Sequence, residues 1–300
     1  MSAAPASAGA PAGSGDVPGD AGTGASVAVA VDPFAPRTRA GRGGFLAALN
    51  PLAKLAAPVP VMILVVFSRG IALPLAIAAF AMVVLLAGTR LPGRAVVALL
   101  LGAPAAALLL GVTFGIWVDP ATVAGSAEAS VALFSVGDWT FTLAAYLVGL
   151  ATALRIVAIL LLSLIAGVTS TGPDLVRAMV QNLRVPYRIG YTALAALRFV
   201  PRFGHELEII RAAHRVRGTD AGRGPIASVR RLIGYAVPLL ASAIRHAERV
   251  ALAMDARAFG AHPTRTERHL SPWRARDTVF VAAFLVVSAL IAWWALGWGR

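Results

Sequence analysis

Hydrophobic positions follow two patterns along the chain, and the change comes near residue 169. Before it, apolar residues form nearly unbroken runs: Ala57 to Ala87, about Ala95 to Val118, and about Thr140 to Val168. After it they recur at threes and fours between arginines, until a last unbroken run from Thr278 to Leu296. About 20 apolar residues in a helix cross the roughly 30 Å hydrocarbon core, and a helix satisfies its own backbone there. The unbroken runs therefore predict transmembrane helices. The stretch Ala57 to Ala87 is too long for one ordinary span and is interrupted at Ser68, Arg69 and Gly70, which predicts a tight helical hairpin. Counted this way the chain is an all-α polytopic membrane protein with about five spans, four within residues 45–168 and the last within 278–300.

The interrupted pattern predicts long amphipathic helices. Thr169-Ser170-Thr171-Gly172-Pro173-Asp174 reads as a helix start, with a polar cap, a proline in the first turn and an acid near the positive end of the helix dipole. A second helix is expected from about Ile189 to Arg217, with Ala193, Leu197, Val200, Leu207 and Ile210 as its apolar positions and Arg198, Arg202 and Glu206 as an i, i+4 series. Pro201 should kink it or divide it. A third is expected from about Pro225 to Ala258, with Val229, Ile233, Ala236, Leu240, Ile244, Ala247, Val250 and Met254 near one face and Arg231, Arg245 and Arg249 on the other. Both long helices end alike, as Val216-Arg217-Gly218 and as Asp255-Ala256-Arg257-Ala258-Phe259-Gly260. An arginine in the last turn with a glycine beyond is a C-terminal stop signal.

Composition supports the membrane assignment. With 58% hydrophobic and 14% charged residues, the chain departs from soluble domains, in which about a quarter of residues are charged. The net charge of +13 would suggest nucleic acid in a soluble protein, but here 18 of the 27 basic residues lie between Thr169 and Asp277. Such a block marks the cytoplasmic side, so no nucleic-acid partner is expected. Arg37, Arg39, Arg42 and Lys54 hold the N-terminus on that side too, whereas Asp119 to Asp138 carries acids and no Lys or Arg, as an external loop does. Lys54 is the only lysine, a bias that a GC-rich genome would produce and that accounts for most of the arginines. Residues 1–44 are rich in Ala, Gly and Pro and predict a disordered tail.

Two further features lie inside the spans. Gly111 and Gly115, and Gly149 and Ala153, have the small-residue spacing that lets helices approach closely. Arg155 sits near the middle of the fourth span, where its charge costs a few kcal/mol unless it snorkels, bonds helix carbonyls or serves subunit packing. Chemistry is not in evidence. There is no cysteine, the five histidines lack metal-ligand spacing, and no G-x-x-x-x-G-K-[ST] loop occurs, so no metal, cofactor or catalytic role is expected.

From about Asn50 to Arg276 the chain resembles the transmembrane T component of energy-coupling-factor (ECF) transporters, including the homologous Q component of cobalt and nickel uptake systems. Asn50-Pro51-Leu52-Ala53-Lys54-Leu55 is similar to the family's early Asp-Pro-Arg-x-Lys-Leu, and Thr169 through Leu175 to its Thr-Thr-Ser-Pro-x-x-Leu. Leu197-Arg198-Phe199-Val200-Pro201 looks like its Leu-Arg-Phe-Ile-Pro, and Arg155 stands where family members place an arginine. The two helix ends look like its paired Ala-Arg-Gly signatures, with Val216 in place of the first alanine and Ala258 in place of the second glycine. The resemblance implies a non-catalytic plasma-membrane scaffold that joins two cytoplasmic ABC-type ATP-binding subunits to a small substrate-binding membrane subunit, for vitamin or transition-metal uptake. It implies that Arg217 and Arg257, flanked by Val216, Gly218, Ala256 and Ala258, pair with acids on the ATPases, with Arg198, Pro201 and Asp255 in supporting places.

A different reading is a membrane-anchored protein whose arginine helices bind anionic lipid, each basic residue contributing about 1 kcal/mol. An ordinary ABC permease would usually present one coupling helix per chain, and the paired helix ends count against it.

Overall fold

A computed structural model describes residues 44–123, 131–136, 139–218, 224–263, 266–267 and 269–297. The tail expected over 1–44 lies outside them except for Gly44. A short 3-10 turn, Phe45–Ala48, leads into α1 (Pro51–Ala56), α2 (Pro58–Val66), α3 (Ala72–Gly88), α4 (Gly93–Ile116) and α5 (Pro120–Val123). A two-stranded antiparallel hairpin, β1 (Ala132–Val136) and β2 (Trp139–Thr142), precedes α6 (Leu143–Thr169). Then come α7 (Gly172–Asn182), α8 (Tyr187–Val216), α9 (Pro225–Asp255) and α10 (Ala275–Gly297). The protein is an all-α polytopic membrane protein apart from that hairpin, which apolar periodicity did not predict.

The long apolar stretch does divide, with α2 and α3 separated at Phe67–Ile71. Among the described residues four helices are long and apolar enough to cross a membrane: α4, α6, α9 and α10. Three of them have mean hydropathies of 2.2 to 2.4 over their most apolar stretch, while α9 reaches only 1.2 and carries arginines. The segments before and after the Ser68-Arg69-Gly70 break are shorter apolar helices.

Helix α6 is the centre of the packing. Its Leu154, Val157, Ala158, Leu161, Leu162 and Ile165 join Val61, Val65, Ile77, Ala81 and Leu85 of α2 and α3 and Phe284 of α10 in one apolar core. The other side of α6 meets α4 at unusually short range, because the two small-residue spacings face each other. A Cβ on Gly149 would lie 2.3 Å from the Gly111 carbonyl oxygen and 2.4 Å from the Gly115 nitrogen, both backbone atoms that cannot yield. Without water to drive association between spans, such backbone proximity is what van der Waals attraction can use.

At the opposite end of the core, buried polar groups join parts of the chain far apart in sequence. Asn50 caps α1, its Oδ1 accepting from the Leu52 amide at 3.0 Å, and its Nδ2 donates to the Ser271 carbonyl at 3.0 Å. Its own amide donates to Asp277 Oδ1 at 2.7 Å, while Asp277 Oδ2 accepts from the Arg274 amide at 2.8 Å. Asp277 is 1% exposed and Lys54 is 1% exposed. The Lys54 ammonium donates to the Thr169 carbonyl at 2.9 Å, at the C-terminus of α6, where the helix dipole favours a cation.

Replacing Gly149 by leucine should lower the stability of the purified chain in detergent by about 1–3 kcal/mol or more through enforced separation of α4 and α6. Gly102→Ala, inside α4 where an added Cβ meets nothing within 4 Å, is the control that should not lower the melting temperature. Asp277→Ala removes two hydrogen bonds to a buried carboxylate and should cost about 3 kcal/mol or more in the same thermal measurement, at about 1.5–3 kcal/mol per charged bond.

Candidate functional site

The arginine-rich segment folds as α7, α8 and α9. Helix α7 begins as its sequence predicts: Thr171 Oγ1 accepts from the Asp174 amide at 3.3 Å, proline occupies the first turn, and Asp174 pairs with Arg177 at 3.0 Å. Helix α8 runs unbroken through Pro201, so of the kink or division expected there the division does not occur. The missing N–H deprives one carbonyl of its donor, which a 30-residue helix absorbs. Helix α9 contains a second internal proline, Pro238, that periodicity analysis passed over, and it stops at Asp255 rather than at Ala258.

The two long helices pack on each other along a polar row of α9. Tyr235 is buried, and Arg231, Leu239, Ser242 and His246 are half-buried on the same side of α9. Ser242 donates to Glu206 of α8 at 2.6 Å, His246 stacks on Phe199 with centroids 4.4 Å apart, and the Arg211 guanidinium lies over the Tyr235 ring. Glu206 is thereby committed to α9 rather than to an ion pair along its own helix. The apolar row Val229, Ile233, Ala236, Leu240 and Ile244 is instead exposed, with Val237 beside it 73% exposed.

The helix ends prove alike in geometry as well as in sequence. After α8, the Gly218 amide donates to the Arg215 carbonyl at 3.1 Å, and Gly218 has φ +68°. After α9, the Ala258 amide donates to the Asp255 carbonyl at 2.9 Å, the Phe259 amide to the Met254 carbonyl at 3.0 Å, and Ala258 has φ +53°. In each turn the arginine immediately precedes the left-handed residue, a Schellman-type ending. Arg217 and Arg257 are both exposed, as are Val216 (90%), Gly218, Asp255, Ala256 and Ala258. Among the described residues neither guanidinium pairs with a carboxylate. Charge without a partner, presented on a rigid turn, is suited to bidentate capture of a carboxylate.

Other expected site residues are not brought to these turns. Arg198 and Pro201 lie on α8, Arg198 about 28 Å along the helix axis from Arg217 at 1.5 Å per residue. Arg155 lies midway along α6, half-buried, its Nε without a hydrogen-bond partner. Snorkelling or carbonyl bonding therefore leaves that nitrogen unsatisfied. Residues that sequence reading passed over are Gln181, Asn182, Ser271 and Asp277, which tie the arginine segment to the spans: Asn182 donates to the Ser271 carbonyl, and the Ser271 amide to Gln181 Oε1. Their pairings span about 90 residues or more, which no local pattern reports.

A family model described as "Cobalt transport protein" (CbiQ) matches residues 44–268, from the Asn50 cap through both arginine turns. The chain belongs to the CbiQ family. Curated relatives agree. The energy-coupling factor transporter transmembrane protein EcfT of Bacillus subtilis (strain 168) is 28% identical over 167 residues, 53% of this chain and 63% of the relative. EcfT of Staphylococcus aureus (strain 04-02981) is 29% identical over 151 residues, 48% and 56%. EcfT of Thermotoga maritima is 33% identical over 147 residues, 46% and 54%. The chain spans a little over half the length of these curated relatives. These relatives are named as transmembrane proteins of energy-coupling factor transporters.

Within the family frame, Ala258 is the informative departure. A Cβ in the left-handed region costs about 1–2 kcal/mol, and glycine carries no such cost. Ala258→Gly should raise the thermal stability of the purified chain by about 1 kcal/mol, read as an upward shift of its melting temperature, while Gly218→Ala should lower it by a similar amount.

Proposed function

We propose that this chain is the non-catalytic scaffold (T) subunit of an ECF-type ABC importer. Two separate ABC-type ATP-binding subunits dock on the turns bearing Arg217 and Arg257, each guanidinium engaging a carboxylate. A small substrate-binding membrane subunit covers the exposed apolar row of α9. ATP-driven closure of the ATPase pair shifts α8 and α9 and so reorients the substrate-binding subunit for uptake of a vitamin or a transition-metal ion. The observation that carries this reading is the duplicated turn: two exposed, unpaired arginines, 40 positions apart, in the same left-handed ending.

The proposed topology follows from charge. Residues 1–44 and 169–277 face the cytoplasm, spans lie within 45–168 and 278–300, and α9, despite its length, stays out of the bilayer because the face opposite its apolar row carries Arg231, Arg245 and Arg249. Arg155 serves subunit packing within the membrane. Specificity resides in the substrate-binding subunit.

Affinity purification of the tagged chain from mild detergent should recover ABC-type ATPases. Arg217→Glu or Arg257→Glu should weaken that association by about 2 kcal/mol or more, roughly 30-fold, since a docked carboxylate loses its partner and meets its own sign. Arg245→Glu, exposed on α9 away from both turns, should leave recovery unchanged. Recovery of no ATPase, or equal losses at all three positions, would refute the scaffold; equal losses from anionic vesicles would instead favour lipid binding.

A further inference from the structure

The two arginine turns share a backbone conformation but not their attachment to the rest of the molecule. Around Gly218 there is open space: a Cβ added there would meet nothing within 4 Å. Val216 beside it is 90% exposed. The turn that follows Arg257 is held from outside. The Arg188 guanidinium donates from Nη2 to the Gly260 carbonyl at 2.5 Å, and the Tyr187 hydroxyl donates to the His262 carbonyl at 2.5 Å. The Tyr187 ring meets the Phe259 ring edge-on, with centroids 5.8 Å apart. Gly260 is itself left-handed, at φ +90°, and an added Cβ would lie 3.2 Å from Arg188 Nε, so both the backbone and the space favour glycine there.

Both anchoring side chains belong to the first turn of α8, more than 70 positions earlier in the chain. That turn is joined in its turn to the span end of the molecule. Tyr191, one helical turn on, hydrogen-bonds Glu267 through its hydroxyl. Gln181, at the end of α7, donates to the His269 carbonyl at 2.8 Å and accepts from the Ser271 amide at 2.6 Å. Ser271 then meets Asn50, the cap of α1. Carbonyl acceptors at Gly260, His262, His269 and Ser271 thus run along the whole segment after Arg257. At the Arg217 end, His214 meets the Tyr235 ring edge-on with centroids 5.1 Å apart and Arg211 lies over the same ring, contacts made to α9.

We infer that Tyr187 and Arg188 are positioning residues that fix the Arg257 turn to the base of α8 and so hold Arg257 in place for docking. This rests on the reading of both arginines as ATPase contacts. A guanidinium on an ordered turn loses less freedom on pairing than one on a free helix end. A displacement imposed at Arg257 also has a bonded route through the base of α8 and Gln181 to Ser271, Asn50 and Asp277.

The absence of native cysteine permits a differential test. Val216→Cys and Ala256→Cys, each just ahead of a signature arginine, are labelled separately with a short photoactivatable cross-linker in the assembled transporter. Tyr187→Phe combined with Arg188→Ala should lower the cross-linking yield from position 256 to the ATPases about tenfold, the size expected for losing two hydrogen bonds, and leave position 216 unchanged. Arg188→Lys in place of Arg188→Ala should restore part of the yield. Hydrogen exchange of the Phe259 and Ala261 amides in the chain alone should quicken in the double variant. Equal losses at 216 and 256 would mean general damage and overturn the inference, as would no loss at 256 or unchanged exchange. Absence of cross-links from both positions with the two residues intact would refute the ATPase contacts themselves, while the exchange measurement would still report on the anchoring.

Discussion

The arrangement depends on one buried polar joint. Asp277, at the start of α10, accepts from the amides of Asn50 and Arg274, and Asn50 reaches across to the Ser271 carbonyl. A carboxylate this enclosed persists because its oxygens are met by backbone donors; without them its burial would be strongly unfavourable. Lys54, equally enclosed, sits on the last carbonyl of α6 and joins the same N-terminal helix to the central span. First helix, central span and last span are fixed to one another here, and α7 joins through Gln181 and Asn182. Everything the arginine segment does to the spans has to pass through this joint or along the α6–α7 connection.

Two kinds of packing meet on either side of it. Among the spans, α6 is enclosed by small residues and aliphatic side chains, and its closest approach, at Gly149, is backbone against backbone. Between α8 and α9 the contact is narrower and polar, a serine to a glutamate, a histidine on a phenylalanine and an arginine over a tyrosine. The first kind gives a stiff bundle. The second leaves an aliphatic row of α9 uncovered, and apolar surface of that extent calls for a partner or a bilayer.

The arginine turns show how far local chemistry extends. Their sequences differ, Gly218 in one and Ala258 in the other, yet both chains turn left-handed at the residue after the arginine. Hydrogen bonds from that residue to the carbonyl three positions back compensate in part for the strain that Ala258 carries. The arginine's position is thus a property of the turn, and the alanine is tolerated because the turn is held on its far side by Gly260 and Arg188.

The sequence by itself determined the class of the molecule, the break at Ser68-Arg69-Gly70, the polar cap before α7, the close approach around Gly149 and the paired helix ends. Each of these is set by residues within a turn or two of one another, or by the length and charge that a bilayer demands. Only the tertiary structure decided which face of α9 is covered, that Glu206 bonds Ser242 rather than Arg202, that Asn50 and Lys54 close the joint with Asp277 and Thr169, and that the Arg257 turn is anchored to the base of α8. Those outcomes rest on single hydrogen bonds between residues tens to hundreds of positions apart, and hydrophobic period carries no information about which distant carbonyl a side chain will find.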